Sequence, residues 1–144
     1  MRALIDTCVI IDALQNRDPF AKNAQAVFLA AANNQYTGCI TAKASTDVYY
    51  LMHRHTHDDK ASREVLNKLF SLFDVLDTSG MDCRRAIPSP ITDFEDAVMT
   101  ETAARSEVDC IVTRNIQDYL KSSVKVYTPE QFLNKLEEIS EQGP

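Results

Sequence analysis

Cys110-Ile111-Val112-Thr113-Arg114-Asn115 sets three apolar residues directly against three polar ones, with no alternation between them. Such a run suits a strand buried on both faces, as in a parallel sheet. The same figure opens the chain, where Ala3-Leu4-Ile5 ends at Asp6. It recurs at Cys39-Ile40 before Thr41-Ala42, at Val75-Leu76 between Asp74 and Asp77, and at Val124 to Tyr127 before Thr128-Pro129. Helical patterns lie between these runs. Asp18 to Asn33 carries Ala21, Ala24, Val27, Phe28 and Ala31 on one side. Ala44 to His55 carries Val48, Leu51 and Met52, and Ala61 to Phe73 carries Val65, Leu66 and Leu69. Further helices are expected over Asp93 to Val108 and Pro129 to Ile139, the latter with Thr128 as cap and Pro129 at its first position. Strands alternating with helices read as α/β with a mainly parallel sheet.

The bulk properties agree. At 144 residues, with 44% hydrophobic and 25% charged residues, the chain suits one domain over residues 1–144 with its own core. Asp plus Glu number 21 against 15 Lys plus Arg, a net charge of −6 that excludes a strongly basic nucleic-acid coat but not a local basic groove. The longest apolar run, Ala26 to Ala32, falls far short of the about 20 residues of a membrane span. Asp6 interrupts any apolar signal core, so the expected address is the cytoplasm. Cys8, Cys39, Cys83 and Cys110 are widely spaced and read as small buried thiols. The two prolines in Ala86-Ile87-Pro88-Ser89-Pro90 mark a loop within the domain.

Ligands of open parallel sheets bind beyond the carboxyl ends of the strands. Asp6, Thr41, Lys43, Thr113, Arg114 and Asn115 collect there. On the helix near Asp93, a turn of 100° per residue puts Asp93 and Asp96 about 60° apart. They share a sector with the small residues Ala97, Thr100, Ala103 and Ala104, which would let the helix approach the sheet closely. Thr92 and Glu95 fit a capping box. Asp47 stacks between Ala44 and Leu51 at the border of an apolar face, where a carboxylate is costly unless paired, with Lys43 as the bland partner, or metal-bound. Asp6, Asp47 and Asp96 are thus expected to converge from three elements. Their mutual repulsion would be relieved by a divalent cation, and all-oxygen ligation suits Mg²⁺ or Mn²⁺.

At these residues the chain resembles the PIN-domain family, of the kind found as VapC-type toxic ribonucleases of bacterial toxin–antitoxin pairs. Leu4-Ile5-Asp6-Thr7-Cys8-Val9-Ile10-Ile11-Asp12 is similar to the family's first acidic motif. Thr46-Asp47-Val48-Tyr49-Tyr50-Leu51, Asp93-Phe94-Glu95-Asp96-Ala97 and Ile111-Val112-Thr113-Arg114-Asn115-Ile116-Gln117-Asp118-Tyr119 resemble the other three, in order. The resemblance implies a three-layer α/β/α sandwich around a short, mainly parallel sheet. It also implies Mg²⁺- or Mn²⁺-dependent cleavage of RNA, an antitoxin partner and a homodimer. Asp6, Asp47 and Asp96 become metal-binding acids, with Asn115 and Asp118 at the fourth position and Asp93 and Thr113 as auxiliaries. Asn115 departs from the Asp of many relatives: an amide orients water but brings no charge.

The remaining features are less specific. Lys43, Arg54, Arg84, Arg85 and Arg114 are candidate phosphate contacts, Arg114 first among them because it adjoins the site. His53 and His57 have zinc-like spacing but sit where a helix should end. Tyr49, Tyr50, Tyr119 and Tyr127 can stack on bases or pack in the core, and none is assigned. Two other functions stay open. One is an interaction module of the same fold, motivated by Asn115. The other is a phosphatase using Asp6 as nucleophile, which usually needs a second Asp where Cys8 stands.

Overall fold

The structure is a computed structural model and describes residues 1–143. In chain order its elements are β1 (Arg2–Ile5), α1 (Thr7–Leu14), α2 (Ala21–Ala32), β2 (Thr37–Thr41), α3 (Ala42–Thr56), α4 (Asp59–Leu72), β3 (Asp74–Leu76), α5 (Gly80–Ala86), α6 (Phe94–Arg105), β4 (Cys110–Val112), a 3₁₀ turn (Ile116–Tyr119), β5 (Lys125–Tyr127) and α7 (Pro129–Glu141). All five strands pair in parallel, in the order β3-β2-β1-β4-β5. Leu4 of β1 pairs with Cys39 on one side and Ile111 on the other.

The strand residues divide between two cores. Ala3, Ile5, Ile40, Cys110 and Val112 pack with Val9, Ile10, Ala24, Val27, Val48, Leu69 and Phe132 from α1, α2, α3, α4 and α7. Leu4, Cys39 and Ile111 face the opposite way, against Ala103 and Met99 of α6 and Tyr119 of the 3₁₀ turn. Helices therefore cover both faces of the sheet, the expected three-layer arrangement. Burial on both faces explains why the strands read as continuous apolar runs. No helix of the described residues is long and apolar enough to cross a membrane.

Most differences from expectation fall at element ends. The helix expected from Asp18 starts at Ala21, because a residue before proline is steered out of helical geometry. The one expected to Val108 ends at Arg105, with Glu107 at φ 56° in the turn that follows. Two helices have no counterpart in the sequence reading. In α1, five consecutive residues from Val9 to Ala13 are buried, so no polar stripe marks the helix. α5 has only seven residues, too few for a period to show, and Ser79 with Asp82 closes its capping box. The box expected at Thr92 and Glu95 is replaced by Asp93, whose carboxylate accepts from the Asp96 N–H at 3.0 Å.

Gly38 of β2 lies under the ring of Phe73, which is 2% exposed and packs edge-on against Phe28. A Cβ added at Gly38 would come within 2.6 Å of Phe73 Cε1. Gly38→Ala is therefore expected to lower stability by about 1–3 kcal/mol through overpacking. Urea denaturation checks this, and an unchanged midpoint would refute it.

Candidate active site

The chain switches direction across the sheet at β1. It steps outward through β2 and β3, then returns to place β4 on the other side of β1. Such a switch opens a crevice beyond the strands' carboxyl ends. Asp6 follows β1 there and Thr113 follows β4. Asp6 also caps α1, its Oδ1 accepting from the Thr7 N–H at 2.8 Å. Its Oδ2 accepts the Thr113 hydroxyl at 2.7 Å and the Cys8 thiol at 3.6 Å. Asp6 is 8% exposed. Burial raises its pKa above the ordinary carboxylate value, against the opposing pull of these donors.

Asp96 comes from the first turn of α6. Tyr119, reaching back from the 3₁₀ turn, donates its hydroxyl to Asp96 Oδ1 at 2.9 Å and lies 3.4 Å from Asp6 Oδ2. Burial pushes the Asp96 carboxyl up to about 6; the Tyr119 hydrogen bond pulls it down, and the charges of Asp6, Asp93 and Asp118 add to the rise. Burial and the two carboxylates hold Tyr119 protonated. Burial, then the charge of Asp6, pushes the Cys8 thiol up to about 11. The protonated Tyr119 and Cys8 thus serve as internal donors, Tyr119 to Asp96 and Cys8 to Asp6.

Both acids line one cleft of about 650 Å³ between α3 and α6. Lys43, Asp47, Leu51 and Arg54 line it from α3, and Phe94, Glu95, Val98 and Met99 from α6. Asp47 does not join Asp6 and Asp96. Its Oδ2 is 2.7 Å from Lys43 Nζ, which is also 2.7 Å from Glu95 Oε1. Asp47 lies one helical turn after Lys43, and its side chain is 36% exposed, so the lysine of its own helix reaches it first. The expected convergence of three acids is thus two acids together and a third ion-paired across the cleft. Among the described residues no group of three His, Cys, Asp or Glu side chains is arranged to hold a metal ion. Asp6 and Asp96 alone still suit Mg²⁺ or Mn²⁺, since such hard ions keep several waters and are commonly held by one or two carboxylates.

The other predicted residues take varied places. Asp93 is an exposed helix cap. Asn115 and Asp118 are exposed at the rim, and the Asn115 N–H donates to the Thr113 hydroxyl at 3.1 Å. Arg114, expected to meet RNA, is instead engaged within the protein. Its Nε is 2.7 Å from Oδ2 of Asp12, which is 1% exposed, and its guanidinium stacks 4.5 Å from the Phe20 ring centroid. A buried carboxylate requires that partner. His53 and His57 do end a helix: His57 caps α3 at φ 53°, and Tyr49 stacks on His53. All four cysteines are free. Thr78 Oγ1 is the one buried side-chain polar atom without a hydrogen-bond partner among the described residues, and Thr78 lines the cleft. Tyr119 and Asp12 went unassigned in the sequence. Their partners lie 113, 23 and 102 residues away, so no local spacing marks them.

A family model described as PIN domain matches residues 2–117. No curated protein matches the sequence significantly. Among solved structures, the toxin–antitoxin complex from Klebsiella pneumoniae is 22% identical, with a TM-score of 0.66, covering 88% of this chain and 97% of that one. VapBC2 from Rickettsia felis, bound to a DNA fragment from its promoter, is 17% identical at a TM-score of 0.65, covering 89% and 98%. The Mycobacterium tuberculosis VapC20, a sarcin–ricin loop cleaving toxin, is 11% identical at a TM-score of 0.62, covering 85% and 98%. These likenesses show the fold.

Two outcomes follow from the geometry. Asp12→Ala leaves Arg114 unpaired and is expected to cost about 2–3 kcal/mol, below the range for fully buried pairs because Arg114 keeps access to water. Chemical denaturation measures this, and a near-zero change would refute it. Asp96 binds its proton more tightly folded than unfolded. Its charge therefore destabilises the metal-free fold progressively as pH rises from about 4 to about 6, and fully above that. Asp96→Asn is expected to gain stability relative to wild type between pH 4 and pH 7 in chelator. A gap that stays constant in thermal melts would contradict the raised pKa.

Proposed function

Because the chain belongs to the PIN-domain family, we propose that it is a divalent-metal-dependent endoribonuclease hydrolysing phosphodiester bonds of RNA, and the toxin of a toxin–antitoxin pair. The observation that carries this reading is the pairing of Asp6 and Asp96 through one hydroxyl at the side of an open cleft. Two carboxylates held together and raised in pKa are poised for a cation. The solved relatives support the rest of the reading. Several are toxin–antitoxin complexes, and VapC20 is a sarcin–ricin loop cleaving toxin.

Asp6 and Asp96 would hold Mg²⁺ or Mn²⁺, with Asp47 contributing from α3 through water. When bound, such an ion acidifies water and offsets charge developing on the phosphoryl oxygens. The chain's own groups do the remaining work. Thr113 and the Thr7 N–H hold Asp6 in place. Asp118 and Asn115 at the rim orient the attacking water, and Asp93 fixes the start of α6. Lys43 and Arg54 on the cleft wall contact phosphates, whereas Arg114 is engaged with Asp12. Thr78 offers a ligand or water a free hydroxyl within the cleft. An antitoxin would shield this cleft in the cytoplasm, on a homodimer of the toxin. A second reading, a PIN-fold interaction module, is favoured by the lack of a third converging acid among the described residues.

Cleavage of a mixed RNA pool with Mn²⁺, with Mg²⁺ and with chelator separates the two. Cleavage is expected only with metal, and Asp6→Asn or Asp96→Asn should reduce it by roughly 10²–10⁴-fold, the range for groups acting on the reacting atoms. Cleavage that survives chelation or both substitutions would sink the nuclease reading.

A further inference from the structure

We propose that Tyr119 is a positioning residue of the acidic pair, its buried hydroxyl setting the Asp96 carboxylate beside Asp6 so that the site is assembled before metal or RNA binds. The inference rests on the metal-dependent reading above. Tyr119 is among the largest fully buried side chains, at 2% exposure. Its ring belongs to the core formed by Leu4, Cys39, Ala103, Val108 and Ile111, so its position is fixed by packing. The hydroxyl at its tip meets Asp96 Oδ1 at 2.9 Å, Asp6 Oδ2 at 3.4 Å and the Met99 sulfur at 3.5 Å. A phenol has a single proton to donate. The shorter contact assigns it to Asp96.

The choice of side chain is informative. Phenylalanine would fill nearly the same volume without placing a polar group in the core, where it must find partners. The partners found are the two site acids and a weakly accepting thioether. A neutral donor anchored in the core holds the Asp96 carboxylate beside Asp6 without adding the positive charge that would displace a cation. Lys43 supplies that charge to Asp47 on the other wall, and there the carboxylate is paired off rather than presented. Among the described residues no hydrogen bond reaches Asp96 Oδ2, so the arrangement holds one oxygen and leaves the second for a ligand. Asp6, Asp96 and Tyr119 come from three separate elements, so the hydroxyl also ties α6 to the 3₁₀ turn beside the end of β1.

Groups that orient a metal's ligands affect metal affinity more than the fold, commonly by about 10–100-fold. Mn²⁺ binding to wild type, Tyr119→Phe and Asp96→Asn, measured by titration calorimetry without RNA, tests the proposal. Tyr119→Phe is expected to keep the wild-type circular dichroism, to bind Mn²⁺ roughly 10–100-fold more weakly, and to recover cleavage as Mn²⁺ is raised. Equal affinity in Tyr119→Phe and wild type would overturn the proposal and leave the nuclease reading intact. A wild-type protein that binds no Mn²⁺ would overturn both. Should Tyr119→Phe not fold, the Cζ resonance of Tyr119 in labelled wild type replaces it. The resonance is expected to shift with Mg²⁺, and an unmoved one would overturn the proposal.

Discussion

A carboxylate taken out of water and left unpaired costs several kcal/mol or takes up a proton. Asp6 is placed there by the sheet itself, at the end of the central strand. Its burial determines what surrounds it. Thr113 arrives from the neighbouring strand, the Thr7 N–H from the helix Asp6 caps, Cys8 from the same helix, and Tyr119 from beyond β4. None of these is a cation. The field around Asp6 therefore remains negative, and α6 adds Asp96 to it. An arrangement that satisfies hydrogen bonds while leaving charge uncompensated raises the energy of the empty site and favours a bound cation.

The surroundings keep this site rigid by putting their ion pairs elsewhere. Asp12, at the far side of α1, is neutralised by Arg114, which also stacks on Phe20. That pair anchors the chain directly after Thr113. Asp82, 1% exposed, accepts from Arg105 twice and from Thr102 once, and these bonds hold its carboxyl well below the usual range. It fastens α5 to α6, and so fixes the wall from which Asp96 projects. Basic side chains near the site are thus used to brace its walls, and the acids facing the cleft stay free of them except at Asp47 and Glu95.

The two walls differ in character. α3 presents Lys43, Asp47 and Arg54 at one helical turn's spacing or its multiples, all open to solvent exchange. α6 presents Asp96 among Phe94, Val98 and Met99. Lys43 bridges them through Asp47 and Glu95, yet its partners are exposed, and such pairs contribute little to stability. The bridge is accordingly weakly held, whereas Asp6 and Tyr119 are buried.

The layers, the parallel sheet and most helices were legible because strands buried on both faces and helices buried on one write their period into the residues. α1 was not, since burial on every side erases the period, and α5 was too short to have one. Asp6 was legible as a polar stop after Ala3-Leu4-Ile5, and Asp96 as an acid among small residues. The partners of both were hidden. Tyr119 in sequence is an aromatic residue like any other, and only the fold, by bringing residues 6, 96 and 119 together, turns its hydroxyl toward two acids. The sequence likewise left Asp47 between a pair with Lys43 and a place beside the other acids, and it offered Arg114 as a phosphate contact with no sign of its pair with Asp12. Local spacing determines which face a charge occupies. Which partner it meets there depends on distances between elements far apart in the chain, and tertiary packing alone decided those.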